Sequence, residues 1–386
     1  DNVYFLKSVN DAVRLRSAVI DLLEKASQPG YTDDERKRLL TFVVVGGGPT
    51  GTEYCGELSD FLNDITGRSG TNRSIVKRAV APFASLAKYT SVILLQSAPD
   101  LLPMFEENLR KSARLSLENE GVKVLTNTMV SSIKGRDRIV IANSDGGEGK
   151  RENIVIDCGI IVWAAGTKPI QLTENIMSNI DHVCDEKGFD TLPSSLSYGG
   201  RVAVDKWQRV IGAPAGSMFA IGDASGTVGE GTTRLPQTAQ VAAQQGAYLA
   251  RLLNRGYDLK GIEFDSSSSR RQNDALTNSD DLLFLGAPFQ HDANESDMME
   301  KHRLRRRVKA KPFAFLNLGQ LAYTGGGEAL SQVQIGDKKL FSKAGSVGFL
   351  LWKSVYIVKQ VSTKTRLLVL FDWFKTKVFG RDVTRM

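Results

Sequence analysis

Apolar residues along this chain fall into two alternating patterns, short β-branched runs and longer stretches with helical spacing. Phe42–Val45, Ser91–Gln96, Val122–Leu125 and Ile160–Trp163 are compact apolar runs of the kind that fill buried parallel strands. Between them, residues from about 49 to 63 and Asn108–Gly121 space their apolar positions three and four apart, as amphipathic helices do. A further helix is expected after the polar stretch at Gly67, Ser69 and Gly70. The order predicts a β-α-β-α-β domain over 41–165, with a small antiparallel section reaching about Ile141 and a turn at Asp145–Gly149. Residues 1–40 read as helical, with Ser8/Asp11 and Thr32/Glu35 as capping boxes.

A second unit is expected from about residue 166, with strands at Val202–Val204 and Met218–Ile221 and a helix at Gln237–Leu253. Residues 262–311 break the pattern. Ser266–Ser269 is low in complexity, and Lys301–Lys311 carries seven Lys or Arg, so this stretch reads as a partly disordered insertion with a solvated basic face. Order resumes at Phe313–Tyr323, with Gly319 and Gly325–Gly327 as turns. In the last segment Leu367, Phe371, Phe374 and Val378 lie on one helical face, and Trp352, Tyr356, Trp373 and Phe379 stand among lysines. That composition suits two helices lying in a membrane interface; packing on the chain's own domain or on a twin subunit is the alternative. No run approaches the roughly 20 apolar residues that a membrane span needs.

A chain of 386 residues implies two or more domains. The formal charge is +7, and residues 343–386 hold nine basic residues against two acidic ones, so the excess is concentrated in the tail. This favours an anionic surface beneath the C-terminus over a nucleic-acid groove across the body. Cys55, Cys158 and Cys184 are isolated, with no Cys-x-x-Cys. A dithiol centre and a cysteine zinc site both lack support, no metal is expected, and a reducing compartment is.

The strand at 42–45 runs straight into Gly46-x-Gly48-x-x-Gly51 and then into a helix. In that context Gly46 permits a tight turn, Gly48 lets a pyrophosphate approach the backbone, and Gly51 lets the helix pack against the strand. The helix N-terminus adds orphan N–H groups and partial positive charge. The next strand should end in an acid that holds a ribose 2′-hydroxyl, yet it ends in neutral Gln96. A carboxylate would repel a 2′-phosphate and an amide would not, so acceptance of NADPH is expected. Two further glycine turns close apolar runs, one at Gly166 and one at Gly222-Asp223.

Taken together, Tyr4–Lys7, GGGPTGTE at 46–53, LLPMF at 101–105, FAIGDAS at 219–225, LPQTAQVAAQQGAYLA at 235–250, LGQLAY at 318–323, Leu351–Lys353 and FDWFK at 371–375 form one pattern. In these motifs the chain resembles the type II, alternative, non-proton-pumping NAD(P)H:quinone oxidoreductases of the mitochondrial kind. The resemblance implies an α/β two-dinucleotide-binding-domain flavoprotein, with tandem Rossmann-like domains and a C-terminal amphipathic helical region. It implies FAD and NAD(P)H as cofactors, and a membrane quinone as oxidant. It also implies a peripheral place on the mitochondrial inner membrane and a homodimer.

By the same resemblance, Gly46, Gly48 and Gly51 bind the pyridine-nucleotide pyrophosphate, and Glu53 lies near the nicotinamide and takes part in nicotinamide and quinone handling. A carboxylate answering the helix dipole is the alternative for Glu53. Gly166 returns the chain to the flavin domain, and Gly222-Asp223 holds the flavin ribitol. Ala239, Gln240 and Gln244 match a helix start beside the isoalloxazine, where the quinone ring stacks; simple N-terminal polar residues are the alternative. A histidine often precedes the second glutamine in this family, and here Ala243 stands there.

The expected division is 1–40 as the end of the first flavin part, 41–165 as the NAD(P)H domain, 166–342 as the second flavin part, and 343–386 as membrane-surface helices. Only Gly30 precedes Gly46, and residues 1–40 carry no strand–glycine–helix pattern for the flavin ADP. A fragment that binds FAD weakly or not at all is therefore expected. A soluble flavoprotein reductase with another acceptor, and a truncated nucleotide-binding chain without turnover, are the competing readings.

Overall fold

The computed structural model describes residues 2–68, 81–143, 153–186, 199–214, 216–228, 235–254, 310–336, 338–360 and 362–379, with backbone alone for 181–186 and 379. The helix expected after Gly70, the turn at Asp145–Gly149, the insertion at 262–311 up to residue 309, and the Cys184 side chain lie outside the described residues. The chain packs as two units, 1–166 with 317–386, and 167–316.

The first unit opens with β1 (Val3–Phe5), α1 (Val9–Ser27), α2 (Asp33–Leu39), β2 (Thr41–Val45) and α3 (Pro49–Thr66). It continues with β3 (Ser91–Leu95), α4 (Glu107–Asn119), β4 (Val122–Leu125), β5 (Thr128–Lys134), β6 (Arg138–Asn143), β7 (Asn153–Asp157) and β8 (Ile160–Trp163). Five strands form one parallel sheet in the order β1-β8-β2-β3-β4. Successive residues of the apolar runs point to opposite faces, and both faces are covered. Phe42, Val44, Leu94 and Val162 pack under Leu15, Val19 and Leu23 of α1, Leu58 and Leu62 of α3, and Leu117 of α4. Val43, Ile93 and Ile161 pack against Ile139 and Ile141 of the antiparallel β5–β7 layer.

Both expected capping boxes form: Asp11 N–H donates to Ser8 Oγ while Ser8 N–H donates to Asp11 Oδ2, and Thr32/Glu35 make the same exchange. One expectation over 1–40 is corrected. Val3–Phe5 is a strand, paired in parallel with Ile161–Trp163. Three residues carry too little periodicity to show this; the exposed edge of β8 selects the conformation.

The second unit holds α5 (Gln171–Glu186), β9 (Val202–Val204), β10 (Ser225–Thr227) and α6 (Ala239–Asn254). Met218–Ile221, expected as a strand, makes a single bridge, Arg209 to Phe219, before a 3₁₀ turn at Gly222–Ala224. The chain then pairs Ser225–Thr227 with β9 in parallel. Helix α5 was not anticipated.

From Asn317 the chain rejoins the first unit with β11 (Gln320–Gly325), β12 (Glu328–Ile335), β13 (Lys338–Lys343), α7 (Ser346–Val358) and α8 (Thr363–Phe379). The sequence placed this boundary at 342/343; packing places it at 316/317. The reason is a glycine-to-glycine approach of α3 to β11: a Cβ on Gly56 would sit 2.6 Å from Gly325 N. Alternation along β11 and β12 is broken by small and polar residues, so the hairpin was legible only as turns at Gly325–Gly327.

Candidate active site

The glycine turn has the shape its spacing predicts. Gly46 has φ +111°, and a Cβ there would lie 2.9 Å from Ala165 N. Its N–H donates to Leu95 O at 2.8 Å, which ties the turn to the neighbouring strand. A Cβ on Gly51 would overlap Gly46 O, so α3 packs this closely only with glycine there. Gly48 is the N-cap of α3 with no side-chain cap, and nothing lies within 4 Å of where its Cβ would stand. An uncapped helix N-terminus beside open space fits a dinucleotide pyrophosphate.

Gln96 follows β3 and is tied into the glycine turn by both ends of its amide. Its Oε1 accepts the Gly47 N–H at 2.9 Å, and its Nε2 donates to Asp100 O at 3.2 Å. Leu102 N–H donates to Gly47 O at 2.8 Å, and a Cβ on Gly47 would meet Leu101 Cδ2 at 2.5 Å. The loop 101–105 is therefore the outer wall of the glycine turn. Sequence reasoning missed this brace; its only trace was the LLPMF motif.

Glu53 lies one turn into α3, half-buried, and faces the C-terminal elements. Its Oε1 accepts the Tyr323 N–H at 3.1 Å. Burial raises its pKa above the ordinary carboxylate value; the Tyr323 and Trp352 hydrogen bonds oppose the rise and the Glu57 charge adds to it. The phenol of Tyr356 is raised by its own burial and by the Glu53 charge. Around the carboxyl stand Tyr323, Trp352 and Tyr356, with Trp352 centred 5.6 Å from Tyr323 and 4.2 Å from Tyr356. Asp60, which accepts the Tyr323 hydroxyl, was not singled out from the sequence, and Tyr323 stood there only as the end of the LGQLAY motif.

Beyond the aromatic cluster the outer faces of α7 and α8 are apolar and exposed. Leu350 and Val358 on α7, and Leu367, Leu368, Phe371 and Phe374 on α8, all stand open to solvent. Lys353 bridges the two helices, with Nζ 4.6 Å from the Phe349 ring centre and 4.8 Å from that of Trp373. No helix among the described residues is long and apolar enough to cross a membrane.

In the second unit, Gly222 has φ +68° and its Cβ position lies 3.3 Å from Ala242 Cβ, so the turn rests on α6. Its N–H donates to Gln245 Oε1 at 2.6 Å, and Gln245 Nε2 donates to the buried Gln208 Oε1 at 2.9 Å. Asp223 is exposed, with its backbone carbonyl held by Gln237 Nε2 at 3.1 Å. An exposed carboxylate beside a glycine turn can accept hydrogen bonds from the hydroxyls of a polyol. Ala239 and Gln240 open α6, Gln240 half-buried. Gln244 is engaged with backbone: its Nε2 donates to Leu316 O at 2.8 Å and its Oε1 accepts Leu316 N–H at 2.9 Å. Its acceptor and one donor are thus taken by the chain itself.

Gly166, the last residue of the first unit, has φ +70° and its carbonyl accepts Lys7 Nζ at 3.4 Å. Cys55 and Cys158 are buried free thiols. Burial pushes both up, Cys158 to about 12, so neither is a thiolate near neutrality.

Residues 1–246 match the family profile described as pyridine nucleotide-disulphide oxidoreductase, and residues 317–382 match the NDH2 C-terminal domain. The chain is 31% identical over 381 residues to the external NADH-ubiquinone oxidoreductase 2, mitochondrial, of Saccharomyces cerevisiae, covering 99% of this chain and 59% of that protein. It is 30% identical to the external alternative NAD(P)H-ubiquinone oxidoreductase B3, mitochondrial, of Arabidopsis thaliana, covering 100% of this chain and 69% of that one. Against the yeast relatives the chain spans about three fifths of their length. Its fold matches that of NDH2 from Plasmodium falciparum in complex with NADH at a TM-score of 0.73 and 21% identity, over 100% of this chain and 75% of that structure. The chain belongs to the pyridine nucleotide-disulphide oxidoreductase family and, within it, to the alternative NAD(P)H-ubiquinone oxidoreductases.

Proposed function

We propose that this chain forms the nucleotide-binding and quinone-facing parts of a flavoenzyme that oxidises NAD(P)H and reduces a membrane quinone by two electrons, without pumping protons. The observation that carries the reading is the position of Glu53. Its helix begins at the open glycine turn, and its carboxyl group rests against Tyr323 and Trp352 in the region that also bears the exposed apolar helices. The nucleotide turn and the greasy, basic end are thus joined in one packed unit.

The reaction NAD(P)H + H⁺ + quinone → NAD(P)⁺ + quinol needs a hydride acceptor and a proton path. FAD, when bound, supplies the hydride acceptance and the two-electron delivery. The chain's own residues do the rest. The Gly46–Gly51 turn binds the pyrophosphate, and Gln96 tolerates a 2′-phosphate, so NADPH as well as NADH is accepted. Gly222-Asp223 holds the flavin ribitol, and Gln240 and Gln244 lie on the helix whose start faces the ring. A carboxyl with a raised pKa suits proton holding at Glu53 Oε1 near neutral pH. The apolar faces of α7 and α8, with the basic tail, suit peripheral docking on an anionic bilayer and pairing with a second copy. The mitochondrial names of the relatives favour the inner membrane of that organelle.

The test is quinone-dependent NADH oxidation by the protein supplied with FAD, its flavin content read by absorbance, in solution and on vesicles carrying a pH-sensitive dye inside. Turnover with a short-chain quinone and no vectorial proton movement is expected. Oxidation of NADH that ignores quinone and proceeds with a soluble acceptor favours the other reductase reading. A flavin-containing protein that oxidises no NADH in the presence of either acceptor sinks both.

A further inference from the structure

Three residues of α3, Glu53, Gly56 and Asp60, lie at i, i+3 and i+7, which puts them on one helical face. That face docks on the β11–β12 hairpin at three points. Glu53 Oε1 accepts Tyr323 N–H at 3.1 Å. Gly56 lets the backbone of Gly325 approach. Asp60 accepts the Tyr323 hydroxyl on Oδ2 and Gly326 N–H at 3.0 Å on Oδ1. The phenol oxygen also accepts Gly327 N–H at 3.2 Å. One residue therefore meets Glu53 through its backbone and Asp60 through its side chain, across two turns of the same helix.

Asp60 is 1% exposed, so its carboxylate needs hydrogen-bond donors, and the Tyr323 hydroxyl and Gly326 N–H are two of them. If only hairpin packing were at stake, Gly56 against Gly325 and the Tyr323 ring against Phe349 would serve. The hydroxyl adds a second anchor: it ties residue 323 to α3 two turns beyond the point where Glu53 accepts its N–H, and so holds the helix face and the strand at the spacing that this hydrogen bond needs. We propose that Tyr323, anchored by Asp60, is a positioning residue for Glu53. The inference rests on the reading that Glu53 serves quinone reduction.

The groups acting on Glu53 are Glu57 from α3, Tyr323 from β11, and Trp352 and Tyr356 from α7; Asp60 stands two turns away against Tyr323 and Gly326, and Glu120, at the end of α4, lies against Gly325 and Gly326. Of these, the Tyr323 N–H and the Trp352 indole favour the charged carboxylate. Loosening the anchor at Asp60 lengthens the Tyr323 N–H contact and weakens one of them, so Glu53 should hold its proton to higher pH.

The experiment is an infrared titration of the protein, with and without added FAD, reading the carboxyl band that disappears in Glu53→Gln. Tyr323→Phe is expected to move this titration to higher pH, with the alkaline limb of kcat/KM for quinone moving alongside. Asp60→Asn keeps an acceptor for the phenol and should shift the titration less; it also serves if Tyr323→Phe does not fold. In a Glu53→Gln background Tyr323→Phe should change the pH profile no further. An unmoved Glu53 titration in a folded Tyr323→Phe protein overturns the positioning role, as does a pH shift that survives Glu53→Gln. The infrared reading needs no turnover: a shifted titration in a protein that never reduces quinone supports the positioning and rejects the proposed function instead.

Discussion

Gln96 accepts the backbone N–H of Gly47 at 2.9 Å, so the end of the second nucleotide strand grips the middle of the glycine turn. The residue at the expected coenzyme-selecting position therefore also shapes the loop that would hold the pyrophosphate. Gln96→Glu keeps an acceptor for Gly47 but loses the donor to Asp100 O and introduces a charge that repels a 2′-phosphate. The expected outcome is a fall of about tenfold or more in the NADPH/NADH ratio of kcat/KM, the worth of roughly 1.4 kcal/mol. A flat ratio removes Gln96 from coenzyme choice.

Gly51→Ala should be the most damaging single change at the turn. The added Cβ would overlap Gly46 O, and Gly46 is itself held by Leu95 and crowded by Ala165. Nothing here is the far end of a flexible side chain, so the helix must move. A loss of about 1–3 kcal/mol in stability is expected, as for other overpacked sites, together with loss of nucleotide binding. Urea melts and NADH titration by fluorescence check both. Gly48→Ala, by contrast, points into open space and should leave the melt unchanged while weakening the nucleotide.

Burial raises the Glu53 pKa above its ordinary value of 4.5, so the folded chain holds this proton more tightly than the unfolded chain does. Between that ordinary value and the folded pKa the native state binds more protons, and the group's contribution to stability falls as pH rises. Glu53→Gln removes this cost and keeps an acceptor for Tyr323 N–H. The stability advantage of Glu53→Gln over the wild type should therefore grow from about pH 4.5 upward and then level off. Melts across pH 4 to 8 check it, and a constant difference contradicts the raised pKa.

The exposed apolar row on α8 gives a cleaner test of membrane docking than removal of the whole C-terminal segment. Truncation at 344 would strip α7 from the sheet, where Ser331 Oγ donates to Gly348 O at 3.0 Å and a Cβ on Gly348 would overlap Ala329 O. Leu367→Ser, Phe371→Ser and Phe374→Ser together change side chains that are 63%, 65% and 61% exposed. The triple variant should keep its melting temperature and lose sedimentation with anionic vesicles. High salt should weaken the wild-type interaction by screening the basic tail. Unchanged sedimentation of the triple variant refutes docking through this face.

How far the sequence reached depends on where each element draws its stability. The strands at 42–45, 91–95, 122–125 and 160–163 are buried on both faces, and their β-branched runs say so without help. The capping boxes at Ser8 and Thr32 are local chemistry and were legible for the same reason. Val3–Phe5 is a strand only because β8 offers it an edge. Met218–Ile221 is apolar enough for a strand but makes only one bridge, with Arg209. The pairing of the Gln244 amide with the Leu316 backbone joins positions 72 residues apart, which no local pattern announces.

The amino-acid order by itself determined the glycine turn, its strand and helix, and the family to which they point, because each depends on neighbours within a few residues. Only the folded chain decided that Glu53 answers to Tyr323, that Gln96 braces Gly47, and that residues 317–343 belong with the nucleotide-binding unit. Those pairings join positions as far as 270 residues apart. They are fixed by which backbones approach closely enough to exchange a hydrogen bond, and no local pattern encodes that.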